Sequence, residues 1–453
     1  MEGLLVVQLD VRVDNRGWFK ENWQRAKMVA AGLPDFGPVQ NNVSFNAAAG
    51  VTRGIHAEPW DKLVSVATGR LFGAWVDLRP GSGFGTVVTR EMGPNTAVFV
   101  PRGVGNAFQT LEDGTAYSYL VNAHWSPAAR DSYTHLNLAD ETLAIAWPIP
   151  LDRAELSAAD RTHPRLADVV PMAAPRHVVL GAGGQLGRAL TAAEPAAVAL
   201  TRAELDLTDP AAVEGYDWAG TEVVVNAAAY TKVDAAETPE GRSAAWAANV
   251  AGVAALVRAA RRHRFTLVHV SSDYVFDGTR PRHDEDEPFS PLGVYGQTKA
   301  AGDALVGTLD RHYLVRTSWV VGEGGNFVRT MAGLADRGVE PEVVVDQFGR
   351  LTFTDEIARG VRHLLEVGAP YGTYNLSGDG PEMTWADIAR AVFDLRGRPT
   401  GAIRETTAAA YGEGKALAPR PQHSLLTLDK IIAVGFGPRD VRDQLPEYLA
   451  RLG

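Results

Sequence analysis

At 453 residues, with 45% hydrophobic and 22% charged side chains, the chain has the makeup of a soluble globular protein and is long for one hydrophobic core. Its 44 lysines and arginines stand against 54 aspartates and glutamates, a formal charge of -10, which argues against a nucleic-acid or anionic-membrane binder. The absence of cysteine excludes disulfides, zinc-thiolate centres and thiol nucleophiles.

The N-terminus has no positive leader, and its apolar run is far shorter than a membrane span, so a cytoplasmic location with no membrane partner is the expectation. Up to about Pro150 the sequence has a β grammar. Short runs at Lys62–Ala67, Leu71–Leu78, Ala97–Val100 and Ala116–Val121 are separated by Gly, Pro and Asn signals, the pattern of an all-β sandwich or barrel. Within it, Thr52 to Lys62 is chemically loaded, carrying Arg53, His56, Glu58, Asp61 and Lys62. Metal-binding cupin barrels present two histidines one residue apart, a glutamate and a later histidine. Here Ala57 and Glu58 follow His56, and Asn106 occupies the region of the later histidine, so no metal is expected.

Arg165–Pro175 has two prolines in its last stretch and little periodicity; the expected division is 1–165, a linker at 166–175, and 176–453. From Arg176 strands alternate with helical stretches: His177–Leu180, Glu222–Asn226, Thr266–Ser271 and Tyr313–Thr317, with a helix over Gly252–His263. That alternation predicts a parallel, doubly wound α/β sheet of the Rossmann kind. The first strand runs into Gly181-Ala-Gly-Gly184-Gln-Leu-Gly187 and a helix, an order suited to holding a pyrophosphate against helix N-terminal amides. Arg202, after the second strand, offers a guanidinium for a 2′-phosphate, which favours NADPH over NADH, although a solvated loop charge fits the sequence as well. Tyr295 and Lys299 fall one helical turn apart, which predicts an ammonium beside a phenol, lowering its pKa toward the range of general acid-base catalysis.

The C-terminal motifs are Gly181–Gly187, Val224-Val-Asn-Ala-Ala-Ala-Tyr230, Val233-Asp-Ala-Ala-Glu237, Ser271–Phe276, Tyr295–Lys299, Arg316-Thr-Ser-Trp319 and Asp346-Gln-Phe-Gly349. Together they resemble dTDP-4-dehydrorhamnose reductase, an extended short-chain dehydrogenase/reductase, over roughly 176 to 450. The resemblance implies that Tyr295 donates the proton to the sugar C4 oxygen, Lys299 holds the cofactor ribose, and Ser272, where the family usually has threonine, bonds the ketone. It implies cofactor contacts from Gly181, Gly184, Gln185, Leu186, Gly187, Asp206, Leu207, Ala227, Ala228 and Ala229, and support of the lysine by Asn249. Thr231, Val233, Tyr274, Trp319 and Arg420 would contact the substrate in a fold with a small C-terminal substrate-binding lobe.

In the first half, Asp14-Asn-Arg-Gly-Trp-Phe-Lys-Glu21, Gln40-Asn-Asn-Val-Ser44, Arg53-Gly-Ile-His56, Lys62-Leu-Val64, Val76-Asp-Leu-Arg79, Val100-Pro101 and Tyr119 upstream of Ser126-Pro127 resemble dTDP-4-dehydrorhamnose 3,5-epimerase, over about residues 1 to 165. That resemblance implies a cupin-like jelly roll in which His56 is the base, oriented by Asp160. Lys62 would stabilise the enolate and Tyr119 would be the acid on the opposite face. Arg16 and Arg53 would hold the diphosphate, while Phe19, Glu21, Gln40 and Asn42 would contact the nucleoside or sugar. Epimerases of this type are usually dimers, which implies a homo-oligomer. Where the family commonly has aspartate, histidine and tyrosine, this chain has Gly73, Asn106 and Trp125.

The resulting expectation is a bifunctional enzyme that epimerises dTDP-4-dehydro-6-deoxyglucose at C3 and C5 and reduces the C4 ketone. Two alternatives remain open at this point: a barrel that epimerises one carbon or only binds, and a non-catalytic regulatory reductase fold.

Overall fold

The computed structural model describes residues 1–125, 130 and 132–452; the Ser126-Pro127 element lies outside them. The chain divides into two compact units, Met1–Ala174 and Pro175–Gly453.

The first unit is built from two five-stranded antiparallel sheets. One has the order Leu5–Gln8, Thr96–Val100, Lys62–Thr68, Thr115–Val121, Gln40–Asn46; the other has Thr134–His135, Thr52–Ala57, Val104–Thr110, Leu71–Asp77, Val87–Met92. Their facing residues form one core that includes Val64, Val66, Val98 and Tyr117 from the first sheet and Leu71, Trp75, Val104 and Phe108 from the second. Alternate residues of a strand share a face, so Lys62 projects with Val64 and Val66, and Tyr119 with Tyr117, toward the space between the sheets. Leu63 points the other way, into a second cluster with Met28, Leu33 and Phe36 under the helix Arg25–Ala30. In the opposing sheet, register places His56 beside Asn106 on one neighbouring strand and His135 on the other.

Two departures from the epimerase pattern are parts of a single packing solution. A β-carbon at Gly73 would stand 2.6 Å from the Trp75 ring, and the Trp75 indole N–H donates to Asn106 Oδ1 at 2.9 Å. Tyr117 OH donates to the same oxygen at 3.0 Å. The small residue admits the indole, and the amide oxygen satisfies two buried donors. The segment expected as a linker packs on this unit: Val169 and Met172 are buried in its core, and Met172 N–H donates to Leu78 O at 2.8 Å.

The second unit is centred on a six-stranded parallel sheet, ordered Val198–Leu200, Arg176–Leu180, Thr221–Asn226, Thr266–Ser272, His312–Thr317, Gly372–Asn375. The chain direction across the sheet reverses between Arg176–Leu180 and Thr221–Asn226, and a crevice at such a switch point is where doubly wound sheets bind ligands. Leu267 and Leu314 pack on one face beneath the helix Val253–His263; Val268 and Val315 pack on the other beneath Gln185–Ala193 and Thr354–Glu366. A π turn, Ala247–Gly252, precedes the expected Gly252–His263 helix. Pro239–His263 is long and apolar enough to cross a membrane by composition, but Val253, Ala255 and Leu256 have no exposure and are core. A separate cluster joins the helices Phe327–Asp336, Trp385–Leu395 and Val441–Arg451 through Met331, Ile388, Phe393 and Leu445.

Candidate active sites

A cavity of about 410 Å³ opens between the sheets of the first unit, and Arg53, His56, Lys62, Tyr119 and Asp160 all line it. The short helix Ala158–Thr162, capped by Ser157, delivers the buried carboxylate of Asp160 to His56, with Nε2 to Oδ1 at 2.9 Å. In a neutral imidazole this makes Nε2–H the donor and leaves Nδ1 with the lone pair. Burial pushes Asp160 upward, but the hydrogen bond and charge of His56, with Ser157 and His163, outweigh it and hold the carboxyl below its ordinary range.

On the opposing sheet Lys62 is 3% exposed, its Nζ 2.8 Å from Glu58 Oε1 and 5.9 Å from the centre of the Tyr119 ring. Trp60 Nε1 donates to the other Glu58 oxygen at 2.5 Å. Burial and the Glu58 charge raise the Tyr119 phenol, with Arg53 opposing, so it stays protonated and able to donate.

Sequence reasoning passed over Glu58 as a partner of Lys62, and also Tyr133, His135 and His163 on the cavity wall. His163 follows Asp160 by three residues on the same turn and reaches the same oxygen at 3.3 Å. The three histidines have nitrogens within 4.8 Å of one another, so imidazoles that no local spacing revealed do converge. Arg53, Lys62 and Arg130 line the same cavity with the carboxylates of Glu58 and Asp160, leaving a small excess of positive charge that suits an anionic ligand. Burial, His56 and His163 draw His135 down to about 4.

Arg16, Phe19, Glu21, Gln40 and Asn42, expected to contact the diphosphate, nucleoside or sugar, are absent from this wall among the described residues. Arg16 pairs with Asp14 in its own exposed hairpin, Glu21 pairs with Lys27, and Gln40 donates to Asn42 Oδ1 at 2.9 Å. Phe19 is 66% exposed.

In the second unit a cavity of about 800 Å³ lies along the carboxyl ends of the central strands. Its wall contains Gly181, Gly184, Gln185, Leu186, Arg202, Asp206, Leu207 and Ala227–Ala229 toward one end, and Thr231, Val233, Ser272, Tyr274, Tyr295, Lys299 and Trp319 elsewhere. Gly187 is part of the support: a β-carbon there would be 2.1 Å from Gly181 O. Gly181 itself has φ +75°, and a β-carbon on it would meet the Ala228 backbone at 2.8 Å. Only glycine lets the helix Gln185–Ala193 begin this close to the strand end, with its first amides open to the cavity. That cradle fits a dinucleotide pyrophosphate. Gln185 ties its rim, donating to Gly325 O at 3.0 Å and accepting from Gly322 N–H at 3.1 Å. Arg202 is exposed and only 3.3 Å from Asp206, whose Oδ1 accepts from Thr208 N–H and hydroxyl.

Tyr295 is in T-shaped contact with Tyr274, at 5.4 Å between ring centres, and shares a hydrogen bond with Ser272. Burial raises the phenol well above its ordinary value, with Ser272 opposing. The expected pull of Lys299 on this phenol is replaced by another arrangement. Lys299 Nζ donates to Val270 O at 2.8 Å and lies 3.3 Å from His269 Nε2. A lysine stem reaches several acceptors from one Cα, and here the strand carbonyl holds it. Asn249 does not brace the lysine directly either; it accepts from Tyr230 N–H at 2.8 Å and donates to Thr298 Oγ1 at 3.0 Å. Arg420 is outside the cavity wall among the described residues, held by both oxygens of Asp234 at 2.8 and 2.9 Å. Trp385, which the sequence reading missed, stacks on Trp319 at 3.7 Å.

Residues 1–168 match the family described as dTDP-4-dehydrorhamnose 3,5-epimerase, and residues 176–453 match the family of the RmlD substrate binding domain. The first half is 50% identical over 175 residues to the "Protein RmlC homolog" of Streptococcus pyogenes, covering 38% of this chain and 88% of that protein. The chain belongs to both families. Its reductase-family half is 40% identical over 287 residues to the dTDP-4-dehydrorhamnose reductase of Aggregatibacter actinomycetemcomitans, covering 58% of this chain and 95% of that one. Among solved structures, it is similar to the Bacillus anthracis dTDP-4-dehydrorhamnose reductase in complex with NADP, at 29% identity and a TM-score of 0.57, covering 62% of this chain and all of that one. The Clostridium acetobutylicum dTDP-4-dehydrorhamnose reductase gives 32% identity and a TM-score of 0.56, covering 61% and 99%. The fusion thus joins an epimerase-family domain to a Rossmann-like reductase-family domain in one chain.

Proposed function

We propose that this chain is a bifunctional enzyme of dTDP-L-rhamnose synthesis, epimerising dTDP-4-dehydro-6-deoxyglucose at C3 and C5 and then reducing its C4 ketone with NADPH. The observation that carries the reading is the placement of His56, on one sheet and bonded to Asp160 from a short helix, against Lys62 and Tyr119 on the other sheet, around one cavity. The proposed epimerase unit is 1–165, a cupin-type jelly roll, joined through 166–175 to the reductase, 176–453.

A proton α to a ketone is acidic enough for an imidazole base, and each epimerisation removes it from one face and returns one to the other. His56 takes the proton, with Asp160 fixing its tautomer and stabilising the imidazolium. Lys62, held by Glu58, faces the enolate oxygen. Tyr119, kept protonated by burial, supplies the proton from the opposite face. Arg53 holds the diphosphate.

Arg16, Phe19, Glu21, Gln40 and Asn42 are proposed to act across a homodimer. The edge strand Gln40–Asn46 exposes Val43 and Phe45 at 65% and 66%, and the hairpin Val11–Lys20 exposes Val13 and Phe19. Apolar residues along an unpaired edge strand are a surface suited to a second copy.

In the reductase, the glycine turn and the amides after Gly184 receive the pyrophosphate, Asp206, Leu207 and Ala227–Ala229 border the adenosine portion, and Arg202 selects the 2′-phosphate. NADPH supplies the hydride. Tyr295 donates the proton to the C4 oxygen, Ser272 bonds that oxygen, and Lys299 holds the ribose. Thr231, Val233, Tyr274 and Trp319 form the sugar pocket, closed by a small lobe built on Phe327–Asp336, Trp385–Leu395 and Val441–Arg451; Arg420, through Asp234, steadies its edge. Reduction removes the epimerised ketone from its equilibrium and draws the first step forward. The proposed location is cytoplasmic.

The test is the purified chain with dTDP-4-dehydro-6-deoxyglucose and NADPH in deuterated water. The expected product carries deuterium at both C3 and C5 with stoichiometric NADPH oxidation. Deuterium at one carbon would replace the rhamnose assignment, and oxidation that required an added epimerase would reduce the first unit to a binding module.

A further inference from the structure

Behind Tyr295 lies a buried chain of polar groups whose hydrogen positions are fixed from one end. Ala228 N–H donates to Asn226 Oδ1 at 3.1 Å, which orients the amide and turns Asn226 Nδ2 toward His269 Nδ1 at 3.0 Å. Nδ2 is a donor, so His269 Nδ1 accepts; an imidazolium there would set two N–H groups against each other. The neutral ring therefore carries its hydrogen on Nε2, which points at Lys299 Nζ, 3.3 Å away. An ammonium has no lone pair to receive it. A neutral amine has one, and still donates to Val270 O at 2.8 Å. Asn226 and His269 have 0% and 1% exposure, so water cannot substitute for either partner without rearrangement.

Resting on the reading that Lys299 holds the cofactor ribose, we propose that His269 is a positioning residue that parks Lys299 as a neutral amine in the free reductase, and that NADPH loading converts it to an ammonium by uptake of one solvent proton. The balance is simple: Lys299 –NH2 gains H⁺ and becomes –NH3⁺, and no other bond changes. The phosphates of a dinucleotide lower the cost of a positive charge in this cavity, whose wall includes Lys299. The charged Lys299 then pulls down the Tyr295 phenol, so above about pH 8, where the free chain holds mostly the amine, the proton donor is strengthened only when the hydride source is in place.

The groups facing Lys299 are few. His269 and Val270 O come from the Thr266–Ser272 strand, Tyr295 and the buried Asp303 from its own helix, and Arg316, 3.2 Å from Asp303, from His312–Thr317. Beyond Tyr295, burial raises Asp273 to about 6, against hydrogen bonds from Ser424 and Ser272. Burial pushes Asp303 up from the usual carboxylate value, while Lys299 and Arg316 oppose it. Burial draws Lys299 down to about 8, with Asp303 opposing, which agrees with the geometry. Lys299, drawn toward the neutral range by burial, is thus the group of this set that the Lys299→Arg variant tests directly.

Calorimetric titration of the full chain with NADPH, in buffers of different ionisation enthalpy, counts the protons taken up. The expected uptake is close to one at pH 9 and about 0.1 at pH 7, with Kd rising about tenfold per pH unit above pH 8. Lys299→Arg, permanently charged, is expected to bind NADPH with no uptake, and His269→Phe, which removes the N–H facing the amine, to lose at least half of it. Binding by the unaltered chain at pH 9 without uptake overturns the inference and leaves the reductase reading standing. Full uptake in Lys299→Arg overturns it as well, by assigning the proton to another group. Failure of NADPH to bind at all overturns the reading on which it rests.

Discussion

The two cavities hold their lysines in opposite ways. In the epimerase-family unit Lys62 is locked to Glu58 at 2.8 Å, and the His56 imidazole is held by Asp160 at 2.9 Å. In the reductase-family unit Lys299 is turned to a strand carbonyl and an uncharged histidine. The difference follows from where each reaction gets its reagents. Proton removal and return are performed by side chains alone, so the constellation must be complete in the folded chain. Ketone reduction takes its hydride from outside, and an ammonium at the buried Lys299 bears a desolvation cost that Asp303 offsets only in part.

This contrast predicts that the two activities can be removed separately. His56→Asn is expected to lower deuterium incorporation from solvent by about 10²–10⁴-fold, the span of a lost general base, while NADPH oxidation with pre-epimerised ketone is unaffected. Tyr295→Phe should do the converse, a comparable loss of NADPH oxidation with deuterium exchange into the substrate intact. Both are read by NMR of the sugar and absorbance of the cofactor on one preparation. Loss of both activities in either variant would mean that the sites are not independent and would break the comparison.

Legibility followed the same divide. Strand alternation and the glycine turn were readable because each depends on neighbours close in sequence, and the parallel sheet appeared as expected from four strands with bounds and a second strand placed before Thr201, which is Val198–Leu200; the sixth, Gly372–Asn375, was missed, being short and carrying a glycine at φ +141°. The fusion itself was readable from ordered motifs. Contacts made between distant segments were not. Nothing near His56 in sequence announces His135 or His163, which register and a helical turn bring to it. Tyr295 and Lys299 illustrate the limit most clearly. Their spacing fixes a shared helix face, yet the direction of the lysine head is chosen by Val270 and His269 on another element. Asn106 was read as a lost histidine, while the structure gives its oxygen two donors, Trp75 and Tyr117.

A smaller effect sharpens the claim that the first site is held together by its own charges. Glu58→Gln leaves Lys62, 4% exposed in its side chain, without its anionic partner. Breaking a buried pair from one side costs about 3 kcal/mol, more than the pair itself contributes, because the remaining charge keeps its desolvation cost. Denaturant unfolding should show that loss in the transition of the first unit, accompanied by a weaker deuterium exchange. Glu58→Gln with unchanged stability would mean that Lys62 finds solvent or another acceptor, and that the site is less fixed than its geometry implies.

The smallest expected effect tests the other side of the comparison, a site that waits for its cofactor. Arg202 is 75% exposed in its side chain and pairs only loosely with Asp206, at 3.3 Å. An exposed guanidinium with so weak a partner is free to close on a 2′-phosphate, and a charge-assisted hydrogen bond of that kind is worth about 1.5 kcal/mol or somewhat more. Arg202→Ala is therefore expected to weaken NADPH binding about tenfold and to leave NADH nearly unchanged, a shift read from KM for each cofactor at constant kcat. A parallel loss for both cofactors would move Arg202 to the pyrophosphate. No change for either would return it to the role of a solvated loop charge, leaving 2′-phosphate selection to the backbone around Thr201, where Glu204 already accepts from the Thr201 N–H at 2.7 Å and its hydroxyl at 2.9 Å.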